Sequence, residues 1–180
     1  RKKHHLEHKK CVFHATAMFS DEPDHPKGGN YIIQLAKELE HKDVTFLVAG
    51  EHRISGEIPE NIILLGKLQD QKLLAGYYSM ADVTVISSKR ETFSMPCAES
   101  LCCGTPVVGF KAGGPEQIAL KEYSEFVEYG DMKALQECLE KWLYEKNVQQ
   151  KMISKRARVV YSKEKMAGQY LDLYRSMLDE

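Results

Sequence analysis

Short apolar runs alternate along this chain with longer stretches whose apolar residues recur every third or fourth position. Lys10 to Ala17 reads as a strand, and Val44-Thr45-Phe46-Leu47-Val48-Ala49 is an unbroken apolar and β-branched run of the kind buried on both faces of a parallel sheet. Asn61 to Leu65, Val83 to Ile86, Pro106 to Phe110 and Glu125 to Glu128 predict further strands. Helices fall between them. Lys27-Gly28-Gly29 opens one reaching about Glu40, and Asp70 caps one reaching Met80. Ser94-Met95-Pro96 starts a short helix ending at Cys103-Gly104, and Gly113-Gly114-Pro115 turns into another helical piece. Asp131 caps a helix through about Tyr144, and two more follow, the last from near Ser162. Strands alternating with helices predict an α/β fold, a Rossmann-like three-layer sandwich with a parallel sheet covered on both faces.

The size, 180 residues, fits one domain. Residues 1–10 carry three His and five Lys or Arg and read as a solvated basic linker remnant, with the domain proper over 11–180. A strand beginning so abruptly at Cys11 is expected where an earlier domain has been cut away. His4 and His8 are four apart, but no further ligand is near in sequence, so no metal site is expected there. The formal net charge of −1 offers no basic field for nucleic acid. No apolar run reaches membrane-span length, and no signal peptide opens the chain. The five cysteines are odd in number, Cys102 and Cys103 are adjacent, and no C-x-x-C pair occurs, which reads as the reduced thiols of a cytoplasmic protein. The basic run Lys151 to Lys165 reads as a solvated helix face, with peripheral membrane or partner contact as the alternative.

Ligands of a parallel sheet bind at the carboxyl ends of its strands, beside helix N-termini. Several familiar signatures are missing at these junctions: no G-x-G, no D-x-D and no G-x-S-x-G occurs. Gly104 to Gly109 has the gap of a phosphate loop, but Phe110 stands where lysine is required. The informative junction is Ser87 to Ser100, S-S-K-R-E-T-F-S-M-P-C-A-E-S. Ser94 is placed to be an N-cap and Pro96 suits the first turn, so the amides of Phe93, Ser94 and Met95 form a natural anion or hydroxyl site. Glu91 precedes this turn. Glu99 lies about 40° from Met95 and about 60° from Cys102 around the helix, at the margin of the apolar stripe of Met95, Ala98, Leu101 and Cys102. A carboxylate there is suited to accept two hydrogen bonds from a vicinal diol such as a ribose. The spacing alone carries little, because Glu137 and Glu145 repeat it on what reads as a solvated helix. From the residues alone, a ligand role and a solvated face both remain open.

The stretch from Ala81 to Ile118 resembles the donor-site signature of retaining GT-B glycosyltransferases, specifically glycosyltransferase family 4, or group 1. It reads A-D-V-x-V, then E-x-F-S-M-P-x-x-E-S-L-C-C-G-T-P-V-V-G, then A-G-G-P-E-Q-I. The upstream L-V-A-G-E and N-I-I-L-L-G-K-L segments are similar to two preceding strands of that domain, and the likeness covers roughly Cys11 to Val127. The resemblance implies one half of a GT-B fold. It implies that Glu91 lies near the transferred sugar in a positioning role and that Glu99 binds the ribose hydroxyls. Phe93, Ser94 and Met95 would meet sugar or diphosphate through their amides, and Lys27 would neutralise the diphosphate. Gly66-Lys67-Leu68 would face the base, with a simple turn as the equal alternative. Gly113 and Gly114 would permit unusual φ or close approach of the sugar, and Glu116 would cap the next turn.

Two departures from the pattern stand out. The family's Gly-Arg after the first strand is replaced by His14-Ala15-Thr16-Ala17-Met18, with no arginine between Arg1 and Arg53. His14 or Thr16 is a candidate substitute, although a strand histidine is ordinarily a satisfied structural residue. Ser94 also replaces a glycine frequent after the family's phenylalanine. The implied activity is transfer of a hexosyl unit from a nucleoside diphosphate sugar to a glycan or lipid acceptor, with retention, in cell-surface polysaccharide synthesis. No metal or other cofactor is expected. The expected partners are the nucleotide-sugar donor and a missing N-terminal acceptor domain, so the fragment is expected to be inactive alone. A non-catalytic nucleotide-sugar-binding or scaffold module is the alternative. The absent arginine favours that alternative, while Lys27, Glu91 and Glu99 favour the enzyme. A receiver-type signalling domain would need clustered acids after the first strand, where this chain has alanine and threonine.

Overall fold

Successive residues of each strand go to opposite helical layers, and this parity builds the sandwich. The computed structural model describes residues 1–147 and 149–178. Its strands are β1 (Lys10–Ser20), β2 (Val44–Arg53), β3 (Ile62–Gly66), β4 (Val83–Ile86), β5 (Val107–Phe110) and β6 (Ser124–Val127). Its helices are α1 (Gly29–Glu38), α2 (Gln71–Met80), α3 (Met95–Cys102), α4 (Pro115–Ile118), α5 (Met132–Tyr144), α6 (Gln150–Val160) and α7 (Lys163–Leu178). Val12, Phe46 and Val108 pack with Ile32 and Leu35 of α1 and with Leu135 and Leu139 of α5. Their neighbours face the other way: Phe13 and Leu47 meet Tyr77 and Tyr78 of α2, and Val107 meets Cys97 and Leu101 of α3 and Ile153 and Ala157 of α6. A period of two, with both faces apolar, is what a sheet covered on both sides requires.

All strand pairs are parallel, in the order β3-β2-β1-β4-β5-β6. The order reverses between β1 and β4, where the helices following the two strands leave toward opposite layers. A crevice therefore opens at the carboxyl ends of β1 and β4, the place where such sheets bind ligands. β1 extends to Ser20, beyond the expected Ala17, because an irregularity between Ala15 and Met18 lets it bend and go on pairing with β2.

The expected caps at Asp70 and Asp131 form, accepting from the amides of Lys72 and Ala134. Ser94 behaves differently from its expectation. It occupies the N-cap position, but its side chain makes no cap bond, and its backbone is left-handed with φ 72°. The basic lead-in is also not simply solvated. Leu6 is buried beside Tyr77 and Ala81, Arg1 pairs with Asp82 at 2.8 Å, and a 3₁₀ turn spans Lys2–His4. The ring of His4 lies 2.9 Å from the Tyr77 hydroxyl. Apolar contact and one ion pair thus dock this segment onto α2. Along the C-terminal basic run, Lys151 and Lys155 are exposed while Ile153 and Ala157 hold α6 to the body. Among the described residues, no helix is long and apolar enough to cross a membrane.

Candidate functional site

The crevice between β1 and β4 has a volume of about 420 Å³. The stretch His14 to Ala17 within β1, Lys27, Ile86, Ser88, the loop Glu91 to Pro96 and Glu99 line it. Lys27 and Glu91, 64 residues apart in sequence, meet there at 2.7 Å, with Glu91 only 17% exposed. Two tight contacts bring the segments together. Gly28 has φ 63°, and a Cβ on it would stand 2.2 Å from the Ser87 carbonyl oxygen, so only glycine lets this loop lie against the end of β4. The Ser87 hydroxyl donates to the Lys27 carbonyl at 3.1 Å.

The loop from Glu91 to Ser94 is held from its other side by the segment after β5. Glu91 forms a parallel bridge with Gly113, its amide donating to the Ala112 carbonyl and its carbonyl accepting from the Gly114 amide. Gly114 has no room for a side chain, because a Cβ there would lie 2.6 Å from the carbonyl carbon and oxygen of Thr92. Glu116 accepts from the amides of Ala112 and Gly113 at 3.0 and 2.8 Å. Burial alone would push the Glu116 carboxyl up, but these amides outweigh it and hold it below the usual range. Glu116 is thus a brace for the loop as well as a residue of the next helical turn.

So supported, the amides of Phe93, Ser94 and Met95 find no acceptor among the described residues. Three unpaired amides at the start of α3 leave free donors in the same crevice that Lys27, paired with Glu91, lines. The left-handed Ser94 explains why glycine would be favoured at its position; a side chain costs about 1–2 kcal/mol there. Phe93 and Met95 are exposed at the cleft rim.

Glu99 accepts from the Tyr78 hydroxyl at 3.1 Å. Burial, and then the Glu99 charge, pushes the Tyr78 pKa well above its ordinary value, so the phenol remains a donor. Sequence reasoning did not single out Tyr78. Its signal was a polar-tipped aromatic beside Leu74 and Tyr77 of α2 and Ala81 just after it, on the buried side, where a hydroxyl needs a partner.

The structure brings Lys27, Glu91, Phe93, Ser94, Met95 and Glu99 together in one crevice. Lys67, Leu68 and Gly114 lie outside its lining. Lys67 pairs with Glu51 at 2.9 Å on the exposed ends of β2 and β3, and Leu68 packs toward the α2 cluster. Gly114 acts through the Thr92 backbone. His14 and Thr16, the candidate substitutes for arginine, both line the crevice. His14 is 3% exposed, and burial pushes its pKa down to about 4, so it supplies no positive charge at neutral pH. The described residues contain no group of three or more His, Cys, Asp or Glu arranged to hold a metal ion.

The sequence profile described as glycosyl transferases group 1 matches residues 7–159. The chain belongs to the group 1 glycosyl transferases. Among curated relatives of this family, N-acetyl-alpha-D-glucosaminyl L-malate synthase of Bacillus anthracis is 27% identical over 125 residues, 67% of this chain and 32% of that protein. A D-inositol 3-phosphate glycosyltransferase of Thermomonospora curvata is 54% identical over 44 residues, 24% of this chain and 10% of that protein. Among solved structures, sucrose-phosphate synthase of Thermosynechococcus elongatus superposes with TM-score 0.73 at 22% identity, covering 96% of this chain and 46% of that one. The Anabaena protein Alr3699/HepE, solved in complex with UDP-glucose, gives TM-score 0.73 at 17% identity, covering 100% of this chain and 51% of its own. These structures share the fold, and the chain spans about half their length.

Proposed function

We propose that this chain is the donor-binding half of a retaining group 1 glycosyl transferase that moves a hexosyl unit from a nucleoside diphosphate sugar to a glycan or lipid acceptor. The observation that carries the proposal is the convergence of Lys27, Glu91, Glu99 and three unpaired amides on one crevice. The amides and Lys27 receive the diphosphate, and Glu99 takes a diol of the ribose. Charge developing on the leaving diphosphate is met by dipoles already in place, so no metal is needed for that role. Glu91, held by Lys27, positions sugar hydroxyls. UDP-glucose in the similar Anabaena structure supports the donor class. A similar protein of 25% identity from the cps region of Klebsiella pneumoniae supports a role in cell-surface polysaccharide synthesis. A second domain supplies the acceptor site, in a cytoplasmic enzyme that works at the membrane periphery.

Calorimetric titration with UDP, GDP and ADP, with and without chelator, tests the proposal. Binding of at least one nucleotide that survives the chelator is expected. Binding that requires magnesium or manganese would refute the metal-free site, and no binding of any nucleotide at millimolar concentration would refute the donor role.

A further inference from the structure

His14 ends in a nitrogen that the protein leaves without a partner. Its Nδ1 lies 3.0 Å from the Val85 carbonyl oxygen, which can only accept, so Nδ1 carries the hydrogen. Burial and the nearby Lys27 charge both favour the neutral ring, overcoming the opposite pull of the Val85 carbonyl. Nε2 therefore presents a lone pair. It is buried and unpartnered, as is the hydroxyl of Ser94, which is 4% exposed. Four buried side-chain atoms are unpartnered among the described residues, and two of them, His14 Nε2 and Ser94 Oγ, belong to residues lining this one crevice. Buried polar groups normally find partners, so a coincidence at a ligand crevice calls for a ligand that supplies them.

The chemistry of that ligand follows from the lone pair. A phosphate oxygen bears no hydrogen at neutral pH and is repelled by Nε2. It belongs with Lys27 and the amides of the Phe93–Met95 loop. Nε2 needs a donor, while the Ser94 hydroxyl can donate or accept. A sugar ring offers neighbouring hydroxyls that each do both. We infer that His14 Nε2, together with the Ser94 hydroxyl that lines the same crevice, is a hydroxyl-recognising element for the transferred sugar, so that the β1 wall reads sugar rather than phosphate. This rests on the donor-binding reading above and adds to it the part of the donor that the β1 wall selects. An epimer or deoxy sugar lacking the matching hydroxyl would leave Nε2 unpaired and bind less tightly.

The test uses the chain labelled with ¹⁵N in its backbone and histidines, titrated separately with UDP, UDP-glucose, UDP-galactose, UDP-N-acetylglucosamine and GDP-mannose at millimolar concentration. Long-range ¹H–¹⁵N correlation reads Nε2 directly, and the His14 signal is assigned by its loss in His14→Asn. The expected result is an upfield shift of Nε2 with at least one nucleotide sugar and no shift with UDP. His14→Asn can keep an N–H for Val85 but falls short of the Nε2 position, whereas His14→Gln can place an oxygen there. His14→Asn should weaken the bound nucleotide sugar roughly three- to tenfold with UDP affinity unchanged, and His14→Gln should restore part of the loss. If the Phe93–Met95 amides shift with the nucleotide sugars while Nε2 stays fixed, the inference is wrong and the donor-binding reading stands. An Nε2 shift with UDP alone would assign the acceptor to the nucleotide and also overturn the inference. If no ligand moves those amides, the donor-binding reading itself fails. If His14→Asn does not fold, sequential triple-resonance assignment of the wild-type chain labelled with ¹³C and ¹⁵N identifies the His14 ring, so the wild-type spectra still decide the matter.

Discussion

One oxygen of Glu99 is engaged by Tyr78, and its other oxygen makes no protein hydrogen bond among the described residues. On the proposed donor role, removing this carboxylate forfeits one or two charge-assisted bonds to the ribose diol, each about 1.5–3 kcal/mol. Glu99→Ala is expected to weaken UDP binding by about tenfold or more in calorimetry, while Glu145→Ala, at the exposed end of α5, leaves it unchanged. Equal affinity of folded Glu99→Ala and the wild type would remove Glu99 from the site. His14 predicts a pH effect at the same scale. Its folded pKa of about 4 lies below the ordinary 6.5, so the unfolded chain takes up the proton first. Its contribution is fully present above pH 6.5 and is lost as pH falls toward 4, about 3 kcal/mol in all. The melting temperature should fall across that window, and it should fall less in His14→Asn, provided that variant folds. The carboxyls of Glu116 and Glu140, held below their usual range, add losses at still lower pH. Circular dichroism melts at pH 7.5, 6 and 5 check this, and parallel slopes for the two proteins would exclude His14 as the source.

At the scale of elements, the crevice depends on how loops seat against strand ends. Gly28 and Gly66 share a left-handed backbone, φ 63° and 69°, but Gly66 faces open space and Gly28 faces the Ser87 carbonyl. Gly66→Ala is expected to cost only the backbone penalty, about 1–2 kcal/mol. Gly28→Ala must also displace β4 or the Lys27 segment, so its urea midpoint should drop further and its nucleotide binding should fall. Equal losses in the two variants would mean that the Gly28 contact relaxes freely. Contacts of this kind mark the boundary of what could be read from the sequence. β4 was legible residue for residue because Val83 to Ile86 is an unbroken β-branched run that Asp82 precedes and two serines follow. The gathering of Lys27, Glu91 and Glu99 was legible through the resemblance, since the spacing of the two glutamates also occurs in Glu137 and Glu145 on a solvated helix and Lys27 lies 64 residues from Glu91. The extension of β1 to Ser20 was not, because it relies on an irregularity in pairing that only β2 reveals. Nor was the burial of Leu6, a lone apolar residue in a charged segment whose partners lie on α2. The strained Ser94 escaped because serine at a helix start ordinarily caps. The half-satisfied His14 escaped because its partner is a carbonyl 71 residues away.

For the whole molecule, the C-terminal helix stands apart from the core. None of the described side chains of α7 is buried, whereas α6 anchors through Ile153 and Ala157. Ending the chain after Tyr161, whose hydroxyl donates to the Ile118 carbonyl at 2.7 Å, should leave the melting temperature within about 2 °C of the intact chain. Ending it before Gln150 should lower it markedly, by exposing Leu101 and Cys97. A large loss from the shorter deletion would show that α7 covers the body in solution. The strand order carries a different consequence, for how the protein is made. β4 lies beside β1, yet it follows β2 and β3 in the chain, so the crevice wall closes only across a long separation. Parallel neighbours admit no hairpin shortcut. On the ribosome, β1, β2 and β3 can pair while one edge of β1 waits uncovered, an invitation to wrong partners. Lys27 is synthesised early but has no Glu91 to meet until 64 further residues have been added. A nascent chain therefore gains its candidate site only late, and on the proposed donor role a nucleotide added during synthesis can stabilise only chains whose α3 has already left the exit tunnel.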